Sequence, residues 1–205
     1  MARFDHLAIA ARSLQEGCEF VERLFGVTLE AGGEHPLMGT HNRLLSLGPG
    51  AYLEVIAIDP EAPVPSHPRW FGLDDFSGLP RLCAWIVGVD DLDAALVQAP
   101  VGAGRAVALS RGDLRWQMAV PADGVLPFSG VFPALIAWQG AAHPAARLPD
   151  RGVRLRGLTL THPQAADLRR ALAPFGSDLP VQCVVGPVAG LQAVFDTPQG
   201  KQVIG

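Results

Sequence analysis

The feature that most constrains this chain is that one order of elements starts three times along it. Residues 4–10 read as an apolar strand. Ser13, with Glu16 three residues later, has the spacing of a helix start, and Leu14, Cys18, Val21, Leu24 and Phe25 form one apolar stripe that Gly26 ends. Strands then fit residues 27–31, 42–47 and 51–58, with a loop at 32–39 and a turn at Pro49-Gly50. A second start follows with a strand at 82–87, a short helix at 90–99 and strands at 105–110, 114–120 and 134–138. A third has a strand at 153–161, a helix at 163–175 and strands at 181–185, 191–196 and 201–204. Pro163 suits the first turn of its helix, where no N–H is lost. The expectation is three approximate copies of a unit of roughly 50 to 60 residues. They occupy 1–59, 81–140 and 153–205, joined by a proline-rich segment 60–80 and a linker 141–152.

That repetition excludes the obvious rival. A doubly wound parallel sheet needs strand and helix to alternate throughout, whereas each helix here is followed by several strands in succession. No glycine-rich loop lies between the first strand and the first helix, so nothing supports a dinucleotide or P-loop site. A hydrophobic content of 49% with 18% charged residues describes a folded globular chain. The net charge of -4 provides no basic footprint for nucleic acid. Cys18, Cys83 and Cys183 are odd in number, scattered and set among apolar residues, which reads as buried thiols in a reducing compartment. No signal peptide or membrane-spanning run is visible, so a cytoplasmic protein without membrane contact is expected.

Two polar residues stand out inside apolar runs. His6 interrupts residues 4–10 and Glu54 interrupts 51–58. A carboxylate buried without a partner is costly, so Glu54 calls for a metal, a proton or a hydrogen-bonding cavity. Alternation puts Leu7 and Ile9 on one face of the first strand and His6 on the other; Leu53 and Val55 likewise oppose Glu54. If the amphipathic helix covers the Leu7/Ile9 and Leu53/Val55 side, His6 and Glu54 both point into the concavity of the sheet. There they can bind a divalent metal or share a proton with a substrate. A His–Glu hydrogen bond that merely orders the sheet is the competing reading.

The unit order, with Phe4-Asp5-His6-Leu7-Ala8-Ile9 and Tyr52-Leu53-Glu54-Val55-Ile56, resembles the glyoxalase-like domain proteins of the vicinal oxygen chelate superfamily. Residues 39–45 and 132–138 add to the likeness, which covers nearly all of 3–140. It implies an α+β fold in which repeated βαβββ modules form curved mixed sheets around a cleft, with helices packed on the outer face. It also implies metal ligands on the first and last strands of each module, here His6 and Glu54. At the matching positions the second module has Ala84 and Ile136 and the third has Gly157, none of which can ligate through a side chain. Two ligands fall short of the usual three or four, so one divalent ion (Zn, Fe, Mn or Ni) stays open, with His41 as the best further ligand. His67, His143 and His162, each before a proline, are weaker candidates.

Asn42 falls on the cleft side by alternation, where its amide can hold Glu54 or donate to a substrate oxyanion. Arg43 reads as a solvated or carboxylate-pairing residue, though at a cavity edge it would suit an anionic substrate. Trp85, Trp116 and Trp138 are candidates to line an apolar pocket, with core packing as the alternative. Trp70 and Phe71 suit a lid, and the glycines of 32–39 suit a mobile mouth. Two functions follow. One is a glyoxalase-like enzyme of lyase, isomerase or oxygenase type, with His6 and Glu54 as catalytic residues. The other is a non-catalytic protein that binds or sequesters a small molecule in the same cleft without metal. A small molecule is the expected partner in either case, and a homodimer is compatible with both.

Overall fold

The computed structural model describes residues 2–205. Its elements follow the repeat: β1 (Arg3–Ala10), α1 (Leu14–Phe25), β2 (Glu30–His35), β3 (Thr40–Ser46) and β4 (Tyr52–Ile58) come first. The second set is β5 (Arg81–Gly88), α2 (Leu92–Gln98), β6 (Arg105–Arg111), β7 (Leu114–Val120) and β8 (Ala134–Trp138). The third is β9 (Arg154–His162), α3 (Ala165–Leu172), β10 (Val181–Val185), β11 (Gly190–Thr197) and β12 (Gly200–Ile204).

The first two sets form one curled eight-stranded sheet in the order β2-β3-β4-β1-β5-β8-β7-β6. Its halves mirror each other. In each, the first strand pairs in parallel with the last, β1 with β4 and β5 with β8, and an antiparallel β1–β5 ladder joins them. The curl brings the two edge strands, β2 and β6, within reach of each other. The third set departs from this plan. It forms a separate sheet, β10-β9-β11-β12, in which β9 pairs in parallel with the strand directly after its helix. It therefore repeats the chain order of the other units without repeating their topology.

The two faces of the curled sheet have different neighbours. On the convex face Leu7, Ile9, Leu53 and Val55 pack with Val21 and Phe25 of α1, as alternation predicts. Gly17 allows that approach, because a Cβ there would come within 2.5 Å of Val55 Cγ1. The same core continues into the third set through Leu158, Leu160 and Phe195, and the rings of Phe25 and Phe195 lie 5.0 Å apart. A second apolar cluster, including Ala8, Ile56, Ile86, Trp116, Met118 and Ile136, fills the concave face. Helices outside and a cleft inside follow directly from this split.

Several boundaries differ from those read along the sequence, each for a local reason. Ser13 Oγ accepts the Glu16 N–H at 3.1 Å, but Glu16 pairs with Arg12 rather than completing a reciprocal box. The second helix starts only at Leu92, because Asp91 caps it by accepting the Ala94 N–H at 2.9 Å. The third is α-helical only to Leu172 and tightens into a 3-10 turn over Ala173–Phe175, where Pro174 has no N–H to continue the ladder. Pro163 precedes the helix cap Gln164 instead of occupying the first turn.

The largest shift is at β2, which occupies Glu30–His35 instead of 27–31 and turns much of the expected 32–39 loop into strand. Ala31, Gly32 and Gly33 carry too little side chain to show a strand period, yet their backbone pairs with β3. The pairing skips Gly32, and a Cβ at that position would overlap the side-chain oxygen of Asn42. Glycine is required there because Asn42 occupies the space.

Candidate functional site

Alternation aims His6, Asn42 and Glu54 into the concave side, and the structure brings all three to one narrow cleft. His35, Tyr52, Trp70, Arg111, Trp116, Met118, Ile136 and Trp138 also line it. The parallel β1–β4 register sets His6 beside Tyr52 and Ala8 beside Glu54, so His6 and Glu54 meet on a diagonal. His6 Nε2 lies 3.7 Å from Glu54 Oε2, and both side chains are more than nine-tenths buried. The ring of Tyr52 stacks on that of His6 with 4.3 Å between centroids, which fixes the plane of the imidazole.

Asp5 decides which nitrogen of His6 faces the cleft. Regular alternation would point Asp5 to the helix side. However, the β1–β5 pairing steps from Phe4–Val87 to His6–Ile86, so Asp5 is the extra residue of a bulge and its carboxylate turns toward its neighbour. Asp5 Oδ1 lies 2.6 Å from His6 Nδ1; Oδ2 accepts the Trp138 indole N–H at 2.9 Å and faces His143 Nε2 at 3.2 Å. His143 Nδ1 accepts the Ala145 N–H, so its Nε2 carries the proton given to Asp5. Burial by itself would raise the Asp5 pKa. The hydrogen bonds from His143 and His6, with their charges, outweigh it and hold the carboxyl well below the usual carboxylate range. An ionised Asp5 keeps the proton of neutral His6 on Nδ1, which leaves the Nε2 lone pair facing Glu54.

Glu54 is positioned by a second chain of contacts. Asn42 Oδ1 accepts from the Gly33 N–H at 2.9 Å and from Arg111 Nη1 at 3.0 Å. With its oxygen so occupied, Asn42 directs its NH₂ at Glu54 Oε1, 2.5 Å away. Arg111 reaches Asn42 across the seam between the edge strands, its Cδ against Gly33. His35 completes the chain, with Nε2 facing Arg111 at 3.3 Å and Nδ1 facing Thr40 Oγ1 at 3.1 Å. Burial, aided by the charge of Arg111, pushes the His35 pKa down to about 3, so its ring is neutral and accepts the guanidinium proton. Burial also raises the Tyr52 phenol well above its ordinary value, helped by Asp5 and Glu54; it stays protonated.

Other residues singled out along the sequence lie elsewhere. His41 is on the face of β3 opposite Asn42, with Nδ1 3.9 Å from Asp59 Oδ1, and is no third ligand for His6 and Glu54. Arg43 shares that opposite face and is exposed. Trp85 pairs with Leu7, is wholly buried in the helix-side core and donates to Val131 O. His162 caps a turn by accepting the Gln164 N–H, and His67 stays on the surface beside the Pro68 carbonyl. Trp116 and Trp138 line the cleft, while Trp70 and Phe71 reach it from a 3-10 segment, Trp70–Asp75, inside the proline-rich linker. Three residues escaped the sequence reading, Asp5, His35 and Arg111; Tyr52 shares the face of Glu54 by alternation but was not singled out.

These donors fit a metal centre poorly. His6 Nε2 and Glu54 Oε2 face each other, but no group of three His, Cys, Asp or Glu side chains among the described residues is arranged to hold a metal ion. His35 Nε2 is held against a guanidinium, and His143 Nε2 is committed to Asp5. Ala84 and Ile136, the counterparts of His6 and Glu54 in the other half of the sheet, are part of the apolar wall. The usual three protein ligands are not available.

The sequence matches the glyoxalase-like domain family over residues 4–176. The chain belongs to that family. This places it in the vicinal oxygen chelate superfamily, as the mirrored halves of the sheet suggest. Among solved structures it is similar to a hypothetical protein from Staphylococcus aureus, at 12% identity and a TM-score of 0.62, over 92% of this chain and 88% of that one. A methylmalonyl-CoA epimerase from Mycobacterium tuberculosis is 22% identical over 68% of this chain and 88% of its own, with a TM-score of 0.44. A Streptomyces coelicolor methylmalonyl-CoA epimerase in complex with 2-nitronate-propionyl-CoA is 18% identical over 68% and 98%, with a TM-score of 0.43. No curated protein sequence matches the chain. Among its described residues no helix is long and apolar enough to cross a membrane.

Proposed function

We propose that this glyoxalase-like protein is a small-molecule isomerase or lyase that works by proton transfer at His6 and Glu54. The observation that carries the reading is the unbonded facing of two basic atoms, His6 Nε2 and Glu54 Oε2, 3.7 Å apart and both buried in the cleft. That gap is too long for a hydrogen bond and short enough for one substrate atom to lie within reach of both. His6 Nε2 removes a proton from a carbon next to a carbonyl, and the electron pair moves to the carbonyl oxygen as an enolate. Ionised Asp5 stabilises the imidazolium so formed; Glu54 Oε2 then takes that proton from His6 and returns it to the enolate, which leaves both residues as they began. Asn42 holds Glu54 at its other oxygen and keeps the reacting one turned to His6.

The test is solvent exchange. Butanone and 2-oxobutanoate, one neutral and one anionic, are incubated with the protein in D₂O and deuterium at the carbon beside the carbonyl is followed by NMR. Exchange of either compound should fall roughly 10²–10⁴-fold in both His6→Ala and Glu54→Gln, the range expected for a lost general acid or base. Exchange unchanged by both substitutions overturns the reading. A wild-type protein that binds these compounds without exchanging them, and whose two variants bind equally well, is the non-catalytic binder instead. The absence of counterpart ligands at Ala84 and Ile136 favours that second reading over a metal enzyme.

A further inference from the structure

The hydrogen-bond inventory of the cleft does not balance, and the imbalance describes a ligand. On one side are acceptors, His6 Nε2 and Glu54 Oε2, suited to a proton. On the other are donors without adequate partners. Trp70 Nε1 is the one buried side-chain nitrogen or oxygen among the described residues that has no hydrogen-bond partner. Its indole is only 4% exposed, lines the cleft and sits edge-on to His35, 5.1 Å between centroids. A buried indole N–H left unsatisfied is costly and rare in folded proteins.

Arg111 is the second uncompensated donor. Its Nη1 is shared by two neutral acceptors, Asn42 Oδ1 and His35 Nε2, and it pairs with no carboxylate among the described residues. Every other arginine that lies so deep has an opposite charge; Arg69, for example, is paired with Asp74 at 2.5 Å. With His35 buried as a neutral ring, the Arg111 guanidinium at the cleft wall has neutral acceptors and no carboxylate in direct contact among the described residues. Two donors from separate segments, one charged and one buried and unpaired, converge on a cavity whose remaining walls are apolar, Met118 and Ile136 among them.

We propose that Trp70 Nε1–H and the Arg111 guanidinium form a carboxylate subsite, so that the substrate is a small organic acid whose reacting carbon extends toward His6. A carboxylate matches both requirements. It is planar, offers two oxygens to the in-plane N–H donors of a guanidinium and an indole, and places a carboxylate in direct contact with Arg111. The narrow cleft and its aromatic walls disfavour a bulkier tetrahedral anion. This assignment rests on the proton-transfer reading only for the direction in which the substrate points; binding itself does not require it.

Calorimetric titration separates the cases, with 2-oxobutanoate as the carboxylate, 2-oxobutanamide as its neutral counterpart and methylphosphonate as a tetrahedral anion. The carboxylate should bind at least tenfold more tightly than either of the others. Trp70→benzothienylalanine, which replaces the N–H by sulfur without changing ring size, should weaken carboxylate binding about tenfold, the loss of one hydrogen bond. Arg111→Gln should remove the preference for carboxylate over amide, and Trp70→Phe should show the loss seen with benzothienylalanine if packing plays no part. Equal affinity for acid and amide in the wild type, preference for methylphosphonate, or indifference to the benzothienylalanine change overturns the subsite. Carboxylate binding with these dependences but no deuterium exchange would refute the proton-transfer reading while leaving the subsite intact. Exchange of butanone as fast as that of 2-oxobutanoate, with Trp70→benzothienylalanine unaffected, would do the reverse.

Discussion

Asp5→Asn is the substitution that most directly interrogates the site, because it keeps shape and removes charge. In the wild type, one oxygen of Asp5 takes His6 Nδ1–H and the other takes the protons of Trp138 and His143. An asparagine best serves three donors by presenting its single oxygen to Trp138 and His143, which turns its NH₂ toward His6. Nδ1 must then accept, and the proton of neutral His6 moves to Nε2. The lone pair that faces Glu54 disappears from the dominant tautomer, and the imidazolium loses its counter-charge. Such a change in an Asp–His pair costs roughly 10³–10⁴-fold in rate when the histidine is the base. For stability, hydrogen bonds to a charged group contribute about 1.5–3 kcal/mol against about 0.5–1.5 for neutral ones, so three weakened bonds sum to roughly 3 kcal/mol. Relief from burying a charge returns part of it, and a net loss of about 1–3 kcal/mol is expected.

The pH dependence gives a second handle on the same residue. Asp5 has a folded pKa below its unfolded value, so its stabilisation is complete above about pH 4 and is lost as pH falls further through the folded pKa. Urea denaturation should therefore show a gap between wild type and Asp5→Asn at neutral pH that closes as the pH falls below about 4. Long-range ¹H–¹⁵N spectra report the tautomer directly. They should show His6 protonated at Nδ1 in the wild type and at Nε2 in the variant, with exchange of 2-oxobutanoate abolished in parallel. A wild-type His6 already carrying its proton on Nε2, or a variant with unchanged tautomer and rate, refutes the account.

His35 supplies an independent acid-sensitive element. Its folded pKa lies near 3, below the ordinary histidine value, so stability is fully present above about pH 6.5 and falls by up to about 1.4 kcal/mol per pH unit below it. His35→Gln, which still offers an acceptor to Arg111, should flatten the stability profile between pH 6 and 4.5; identical slopes would contradict a buried neutral ring. Gly32→Ala should destabilise by about 1–3 kcal/mol and slow exchange, because the new methyl takes the place of the Asn42 oxygen and frees Glu54. Gly33→Ala meets only the movable Arg111 side chain and should cost less, a contrast readable from two thermal melts.

What was legible along the sequence was what strand periodicity encodes. Leu7, Ile9, Leu53 and Val55 alternate without interruption, so their contact with α1, and the opposite orientation of His6, Asn42 and Glu54, could be read from spacing alone. The residues that escaped are those for which periodicity fails. Asp5 reverses its face because a bulge inserts one residue into β1 just before His6. His35 hides behind two glycines that carry no pattern, in a strand stabilised by pairing with β3. Arg111 ends a strand on the far edge of the sheet, and only the curl that brings β6 to β2 makes it a neighbour of Asn42. Trp85 erred the other way: with Ala84 matched to His6, alternation puts Trp85 on the helix side, where the structure buries it.

These exceptions share a consequence. A regular strand offers the cleft every second side chain, which supplies His6 and Glu54 but nothing to set a tautomer or hold a carboxylate in place. The bulge puts Asp5 behind His6, and the Gly32-Gly33 step lets Asn42 and Arg111 close behind Glu54. Two of the irregularities in the curled sheet thus lie where a second polar group approaches the first. On a fold that repeats its unit, these irregularities gather the polar groups of the cleft mostly on one half of the sheet, while the other half contributes apolar Ala84 and Ile136 and, from its far edge, Arg111.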